Sequence, residues 1–363
     1  MKKILIVSTV SRQFYLFERG NIEVLKSLGF DVHCAANFED ENERLDELDI
    51  IKHHFDIQRS PFSMKNMRAY RQLKQIMKFG DFDAVHCHSP MGGVLARLAA
   101  KSEKLSPVIY TAHGFHFYEG SPWINWLIYY KVEKYLSKYT DTIVTINKED
   151  FERAKKFKAN DIIAVPGIGI DSTKFENVKV NRIKKRKDLE IPEDTVVLLI
   201  VGEMIKRKNH ETALKALSTL KNNNYVLLVC GKGELESQLK EMTLKLGISD
   251  KVKFLGFRND IPEICIASDI FVFPSYQEGL PVSVMEAMSA GLPIIASRIR
   301  GNTDLIQDGI GGYLHKPEDY FGIAKSIDKI IDDKNLRVEM GIHNKEEVKK
   351  FDKQVVKDKM TKL

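Results

Sequence analysis

With 363 residues, the chain can form one large or two medium domains. It is 43% apolar and 29% charged with a formal net charge of +6, ordinary for a folded soluble protein and too modest to single out a nucleic-acid-binding face. No apolar run approaches the roughly 18–20 residues of a membrane span, so the chain is expected to be soluble or peripheral.

Met1-Lys2-Lys3 and the run Ile4–Val10 have the outline of a short leader, but Ser11, Arg12 and Gln13 end it without a small-residue cleavage site. A first strand buried on both faces explains the run better. Helical spacing follows over Phe14–Leu28 and stops at Gly29. Strands are predicted at Val32–Ala35 and, more weakly, Ile50–Phe55. Pro61 and Ser63 open a helix to about Phe79. Ala84–His88 is a strand leading into Ser89-Pro90-Met91-Gly92-Gly93 and a helix to Lys101. Val108–Thr111 is a strand, and Ser121-Pro122 starts an aromatic helix to about Lys138. Thr142–Ile146 and Ile162–Val165 complete a first parallel sheet. Pro166–Asp171, with two glycines and a proline, then reads as a hinge-like linker, followed by the polar, basic stretch Lys174–Asp188. The alternation restarts with strands Val196–Val201, Val226–Cys230, Val252–Leu255, Ile270–Phe273 and Ile294–Ala296. Helices are expected at Glu211–Leu220, Leu235–Leu246, Val282–Ala290 and Pro317–Asp332. Val348, Phe351, Val355 and Met360 mark a terminal helix. The expected domains are 1–165 with the helix 346–363, a linker 166–172, and 173–345, both α/β and doubly wound. The four cysteines, Cys34, Cys87, Cys230 and Cys265, form no C-x-x-C pair and read as reduced thiols of a cytoplasmic protein.

Several residues carry chemistry. Glu278 lies on a loop after an apolar strand, and Glu286 lies eight residues on, in the second turn of the helix that follows; Gly291 and Pro293 close that helix. Free amides at its start favour an anion such as a diphosphate. Lys206, Arg207 and Lys208 form a basic loop after another strand. Gly231-Lys232-Gly233 is a G-x-G turn without the third glycine of the dinucleotide fingerprint, since Glu236 stands there; a nucleotide contact and a structural turn are both open. His113 lies on the loop after a buried strand. His86 and His88 share one face of their strand, but no third ligand has suitable spacing, so no metal is expected there or at Asp81-Phe82-Asp83. Lys65, Arg68, Arg71, Lys74 and Lys78 line one helix face. Trp123, Trp126, Leu127, Tyr129 and Tyr130 crowd the aromatic helix ahead of Lys131, Lys134 and Lys138, a combination suited to an anionic lipid surface.

The stretch from Phe273 to Ser297, with Glu278-x7-Glu286 set in F-P-S-x-x-E-G-L-P-x-x-x-x-E-A-M-x-x-G-x-P-I-I-A-S, resembles the signature of family 4 retaining glycosyltransferases (glycosyl transferases group 1). The likeness covers nearly the whole chain, and Thr111–Phe117 resembles the capsular and exopolysaccharide branch. It implies the GT-B architecture: two Rossmann-like doubly wound domains facing an interdomain cleft. It further implies transfer of a hexose or N-acetylhexosamine from a UDP-sugar to a lipid-linked glycan, without cofactor, metal or nucleic acid, in the cytoplasm at the inner face of the plasma membrane. By the resemblance, Glu278 and His113 attend the donor sugar. Lys208, a second cation (Arg207 or Lys206) and the amides of Gly279 and Leu280 hold the diphosphate. Glu286, Arg258 and Gly231 attend the nucleoside. Glu203 stands where similar enzymes carry an arginine. An epimerase on UDP-N-acetylhexosamine and a non-catalytic nucleotide-sugar-binding subunit are the alternatives of the same architecture.

Overall fold

The computed structural model describes residues 2–40, 42–176 and 178–362. It divides the chain into two compact units, one running to Gly169 and including the stretch from Lys353, the other Ile170–Asp352.

The first unit is built on strands β1 (Lys2–Val10), β2 (Phe30–Asn37), β3 (Ile51–His54), β4 (Ala84–His88), β5 (Val108–Ala112), β6 (Thr142–Thr145) and β7 (Asp161–Ala164). They pair in the order β3-β2-β1-β4-β5-β6-β7, every pairing parallel. Alternate residues of β1 serve two cores, because successive side chains leave a strand on opposite faces. Leu5 and Val7 pack with Leu73, Ala96 and Tyr110 under helices Lys65–Gly80 and Pro90–Glu103. Ile4 and Ile6 pack with Phe14, Ile22 and Val32 on the other face. Truncating one such residue, Leu5→Ala, would cost about 2–5 kcal/mol.

The second unit uses β8 (Val196–Val201), β9 (Tyr225–Cys230), β10 (Val252–Gly256), β11 (Ile270–Phe273), β12 (Ile294–Ser297) and β13 (Gly312–His315), in the order β10-β9-β8-β11-β12-β13, again all parallel. In each sheet the order reverses once: between β1 and β4, and between β8 and β11. Ligands of such sheets bind outside the carboxyl ends of the strands at that reversal.

The structure differs from the sequence reading in several places, among them unforeseen helices Lys148–Ala154, Ile261–Ala267 and Asn302–Leu305. The helix after β1 opens with a π-helical turn, Phe14–Glu18, before Arg19–Ser27. The basic stretch before Asp188 contains a helix, Arg182–Asp188, capped by Asn181. Its Arg182 and Arg186 turn inward onto Asp269 (2.6 Å each) instead of toward water. β13 was not foreseen, since it is a four-residue edge strand of mixed polarity. The terminal helix, expected over 346–363, is confined to Lys353–Met360, and an unforeseen helix precedes it. Lys334–Val348 belongs to the second unit, and Lys353–Met360 returns to the first after a break at Asp352. There Lys357 pairs with Glu23 at 2.7 Å. The two chain crossings run side by side, with the Ile170 amide donating to the Phe351 carbonyl at 3.0 Å.

Candidate active site

In the second unit, the loops leaving β8 and β11 bring the expected charges together. After β8 the chain makes a 3₁₀ turn, Lys206–Lys208, ended by Asn209 in the left-handed region (φ 55°). The Asn209 amide donates to the Pro274 carbonyl at 2.9 Å and the Pro317 carbonyl at 2.8 Å, tying this turn to the β11 loop. On that loop, Glu278 is buried and its Oε1 accepts from Lys208 Nζ and Arg207 Nη1, both at 2.8 Å. Arg207 also donates to the Gln277 carbonyl. Burial lowers the pKa of Lys208, and the adjacent Glu278 opposes that loss of charge. Glu203 is exposed and takes no part in this pairing.

The β12 loop supports Glu278 from behind. Arg300, buried, donates from Nε to the Glu278 carbonyl at 3.0 Å. Gly301 (φ 80°) lies so close that a Cβ there would sit 2.4 Å from the Gly279 carbonyl oxygen. Gly279 and Leu280 then lead into helix Val282–Ser289, which no side chain caps, so its first amides are available to an anion. Glu286 lies on the second turn. Burial pushes its carboxyl up to about 7, with Lys174 pulling the other way.

Two expected nucleoside residues have structural occupations. Gly231 (φ 146°) packs its backbone on β8: a Cβ would meet the Gly202 carbonyl oxygen at 2.0 Å. Close backbone approach therefore requires a glycine here whether or not a nucleotide lies beside it. Arg258 donates to both oxygens of Asp260, 2.7 Å to Oδ1, and this pairing holds Asp260 well below the usual carboxylate range. Two of the Arg258 donors, Nε and Nη2, are thus committed to Asp260.

In the first unit, His113 follows β5 and meets residues from β4 and from the turn that follows β1. Its Nε2 lies 3.1 Å from His88 Nδ1, 3.1 Å from Gln13 Nε2 and 3.6 Å from Glu18 Oε1. Glu18, 4% exposed, ends the π-helical turn and reaches His88 Nδ1 at 3.2 Å. Burial alone would raise its pKa, but the surrounding imidazoles and the Asn21 amide hold it below its ordinary value. His86 and His88 are buried, and desolvation keeps both neutral. The fold brings Glu18, distant along the chain, to His88 and His113, whereas His86 turns to Asn21 and Thr111. Ligand atoms of Glu18, His88 and His113 lie within 4.8 Å of one another. A metal-bound imidazole, however, normally donates its second ring N–H to an acceptor, and His88 Nε2 is buried without one.

The aromatic helix divides by depth. Trp126, Tyr129 and Tyr130, in a π-helical turn, pack on the core, whereas Trp123 is 72% exposed. Ile124, Leu127, Ile128, Val132 and Tyr135 are exposed with it, beside Lys131, Lys134 and Lys138. On the basic helix, Arg68 pairs with Asp56 and Lys74 with Glu103, while Lys65, Arg71 and Lys78 face solvent. No helix among the described residues is long and apolar enough to cross a membrane.

Comparison with known proteins agrees with this arrangement. The family described as Glycosyl transferases group 1 matches residues 181–347, and Glycosyl transferase 4-like matches residues 3–147. The chain is 37% identical over 357 residues to the putative glycosyltransferase EpsD of Bacillus subtilis, covering 96% of this chain and 93% of that one. It is 32% identical over 282 residues to the UDP-Gal:alpha-D-GlcNAc-diphosphoundecaprenol alpha-1,3-galactosyltransferase of Escherichia coli, covering 76% and 73%. Among solved structures, HepE of Anabaena in complex with UDP and glucose superposes with a TM-score of 0.82 at 19% identity, over 100% of this chain and 99% of that one.

Proposed function

The chain belongs to the glycosyl transferases of group 1, with the GT-B fold, and on that basis we propose that it moves a hexose or N-acetylhexosamine from a UDP-sugar to a lipid-linked saccharide. The product belongs to a capsule, exopolysaccharide or cell-envelope glycan. Transfer proceeds with retention of anomeric configuration and without a bound metal. The observation that carries this reading is the Lys208–Glu278–Arg207 cluster at the reversal between β8 and β11. The E. coli relative's name, with its UDP-galactose donor and diphosphoundecaprenol-linked acceptor, supports the substrate classes.

The chemistry follows from the charges. Departure of UDP places negative charge on its diphosphate. Lys208, Arg207 and the amides of Gly279 and Leu280 are fixed donors that stabilise this charge more in the transition state than before it. Without donor, Glu278 is the counterion of both cations. With the diphosphate in place, its carboxylate turns to accept hydroxyls of the sugar. Glu286, when ionised, accepts the two ribose hydroxyls. His113 attends the donor sugar. The exposed Trp123–Tyr135 stripe with its lysines rests on the anionic inner face of the plasma membrane, where a lipid-linked acceptor resides.

The test uses UDP-glucose, UDP-galactose, UDP-GlcNAc and UDP-GalNAc with undecaprenyl-diphosphate-linked GlcNAc in vesicles, with and without EDTA. One donor should give an α-linked product by NMR at a rate EDTA does not change. A β-linked product would contradict retention, and a rate abolished by EDTA would contradict metal independence. Isomerised UDP-sugar formed without acceptor would instead establish an epimerase.

A further inference from the structure

The cluster around Glu18 contains more order than the placement of one histidine requires. Glu18 ionised can only accept hydrogen bonds. Every neighbour must therefore turn a donor toward it, and this dictates which nitrogen of each ring carries a proton. Asn21 Nδ2 donates to Glu18 Oε2 at 3.2 Å and lies 3.1 Å from His86 Nδ1, so that nitrogen is an acceptor. His86 therefore carries its proton on Nε2 and donates to Thr111 Oγ1 at 2.8 Å. Gln13 Nε2 donates to Glu18 Oε1 at 3.3 Å, which orients its amide. The same NH₂ group lies 3.1 Å from His113 Nε2. His88 Nδ1, 3.2 Å from Glu18 Oε1, is a donor for the same reason, and it too lies 3.1 Å from His113 Nε2. His113 Nε2 lies 3.6 Å from Glu18 Oε1, beyond hydrogen-bond reach, while the second proton of the Gln13 NH₂ is free to point at it, so that nitrogen is the acceptor.

We propose that Glu18 is a positioning residue that, through Gln13 and His88, locks His113 in the Nδ1–H tautomer. A free neutral imidazole prefers the proton on Nε2, so the cluster holds the less common form. The consequence, which rests on the proposed role of His113 at the donor sugar, is that His113 meets the sugar as a hydrogen-bond donor through Nδ1–H and not as a base. The orphaned Nε2 of His88 fits the same scheme. With its proton on Nδ1, that buried nitrogen is an unused acceptor, less costly than a stranded N–H.

The test is NMR of the full chain without ligand, ¹⁵N-labelled at histidine, with the His113 ring assigned by its loss in His113→Ala. Wild type should show a pyrrole-type Nδ1 and a pyridine-type Nε2 at His113. Glu18→Gln and, independently, Gln13→Met should move the ring toward the Nε2–H form. A wild-type His113 already in the Nε2–H form, or a ring unmoved by both substitutions, would overturn the proposal. Turnover of the active UDP-sugar of the panel gives the second readout. Glu18→Gln should lower kcat about 10- to 100-fold with donor KM within about twofold, Glu18→Asp should recover part of it, and Glu18→Gln should cost nothing further in His113→Ala. An equal cost in both backgrounds would show Glu18 acting independently of His113, against the proposal. The tautomer measurement needs no donor. If the ring responds while His113→Ala turns over normally, Glu18 keeps its role and the assignment of His113 to the sugar falls.

Discussion

Glu278 is at once the residue expected at the donor sugar and the counterion of the two cations expected at the diphosphate. Those two duties separate by mutation. Glu278→Gln releases Lys208 and Arg207 for a diphosphate, so UDP should bind more tightly by about 1 kcal/mol, roughly fivefold. Turnover should fall about 100-fold or more, because the carboxylate is gone. Calorimetry against UDP-release kinetics checks the split, and weaker UDP binding would argue against the shared-counterion picture. Glu286 makes a different prediction. Its carboxyl sits near 7, above the ordinary 4.5. Between those values the folded state binds the proton more tightly than the unfolded chain, so stability declines as pH rises through that window and stays lowered above it. Glu286→Gln should remove the decline and raise Tm at pH 8 by about 2–4 °C, on the order of 1 kcal/mol, while weakening donor binding. A Tm profile unchanged between pH 5 and 8 would contradict a buried carboxyl. The placement of Lys208, Glu278 and Glu286 on a strand-end loop or the following helix was legible from local spacing, and the roles expected of them came from the family resemblance. Glu18 and Arg300 were not, since each meets its partners only where the tertiary fold places the π-helical turn of the one and the loop of the other.

At the scale of elements, the first unit holds an ion pair deep in its core. Arg97, fully buried on helix Pro90–Glu103, reaches Glu133 of helix Lys131–Leu136 at 2.8 Å. Its guanidinium lies 4.0 Å above the Tyr110 ring, and Nε donates to the Gly93 carbonyl at 2.9 Å. Glu133→Ala leaves that charge uncompensated and should cost about 3–5 kcal/mol, whereas Arg97→Met with Glu133→Leu should cost less than the single change. The chain has two tryptophans, Trp123 and Trp126, both in this unit, so urea unfolding followed by tryptophan fluorescence reads it directly. A double variant less stable than the single one would refute the argument. Buried parallel strands were readable as continuous apolar runs such as Val196–Val201. Elements whose burial is carried by polar groups were not. Helix Arg182–Asp188 looked solvated because its arginines bury against Asp269, and helix Lys334–Val348 was hidden by Gly341 and a mostly polar surface.

For the whole molecule, two doubly wound sheets were expected and two are present; the C-terminal stretch that groups with the first unit begins at Lys353, where the sequence reading placed its start at 346. The exposed apolar stripe gives a prediction at this scale. The protein should co-sediment with phosphatidylglycerol vesicles more than with phosphatidylcholine vesicles, less so at high salt. Replacing Lys131, Lys134 and Lys138 together by alanine should weaken this by up to about 3 kcal/mol. Equal binding to both vesicles would contradict an electrostatic dock. The central claim, that the second unit binds a nucleoside diphosphate through Lys208, is tested most directly by calorimetric titration of UDP into the wild-type chain, with and without EDTA, and into Lys208→Ala. The account predicts UDP binding that EDTA does not alter and that weakens about 10- to 100-fold without Lys208. Absence of UDP binding, or equal affinity in the variant, would contradict it.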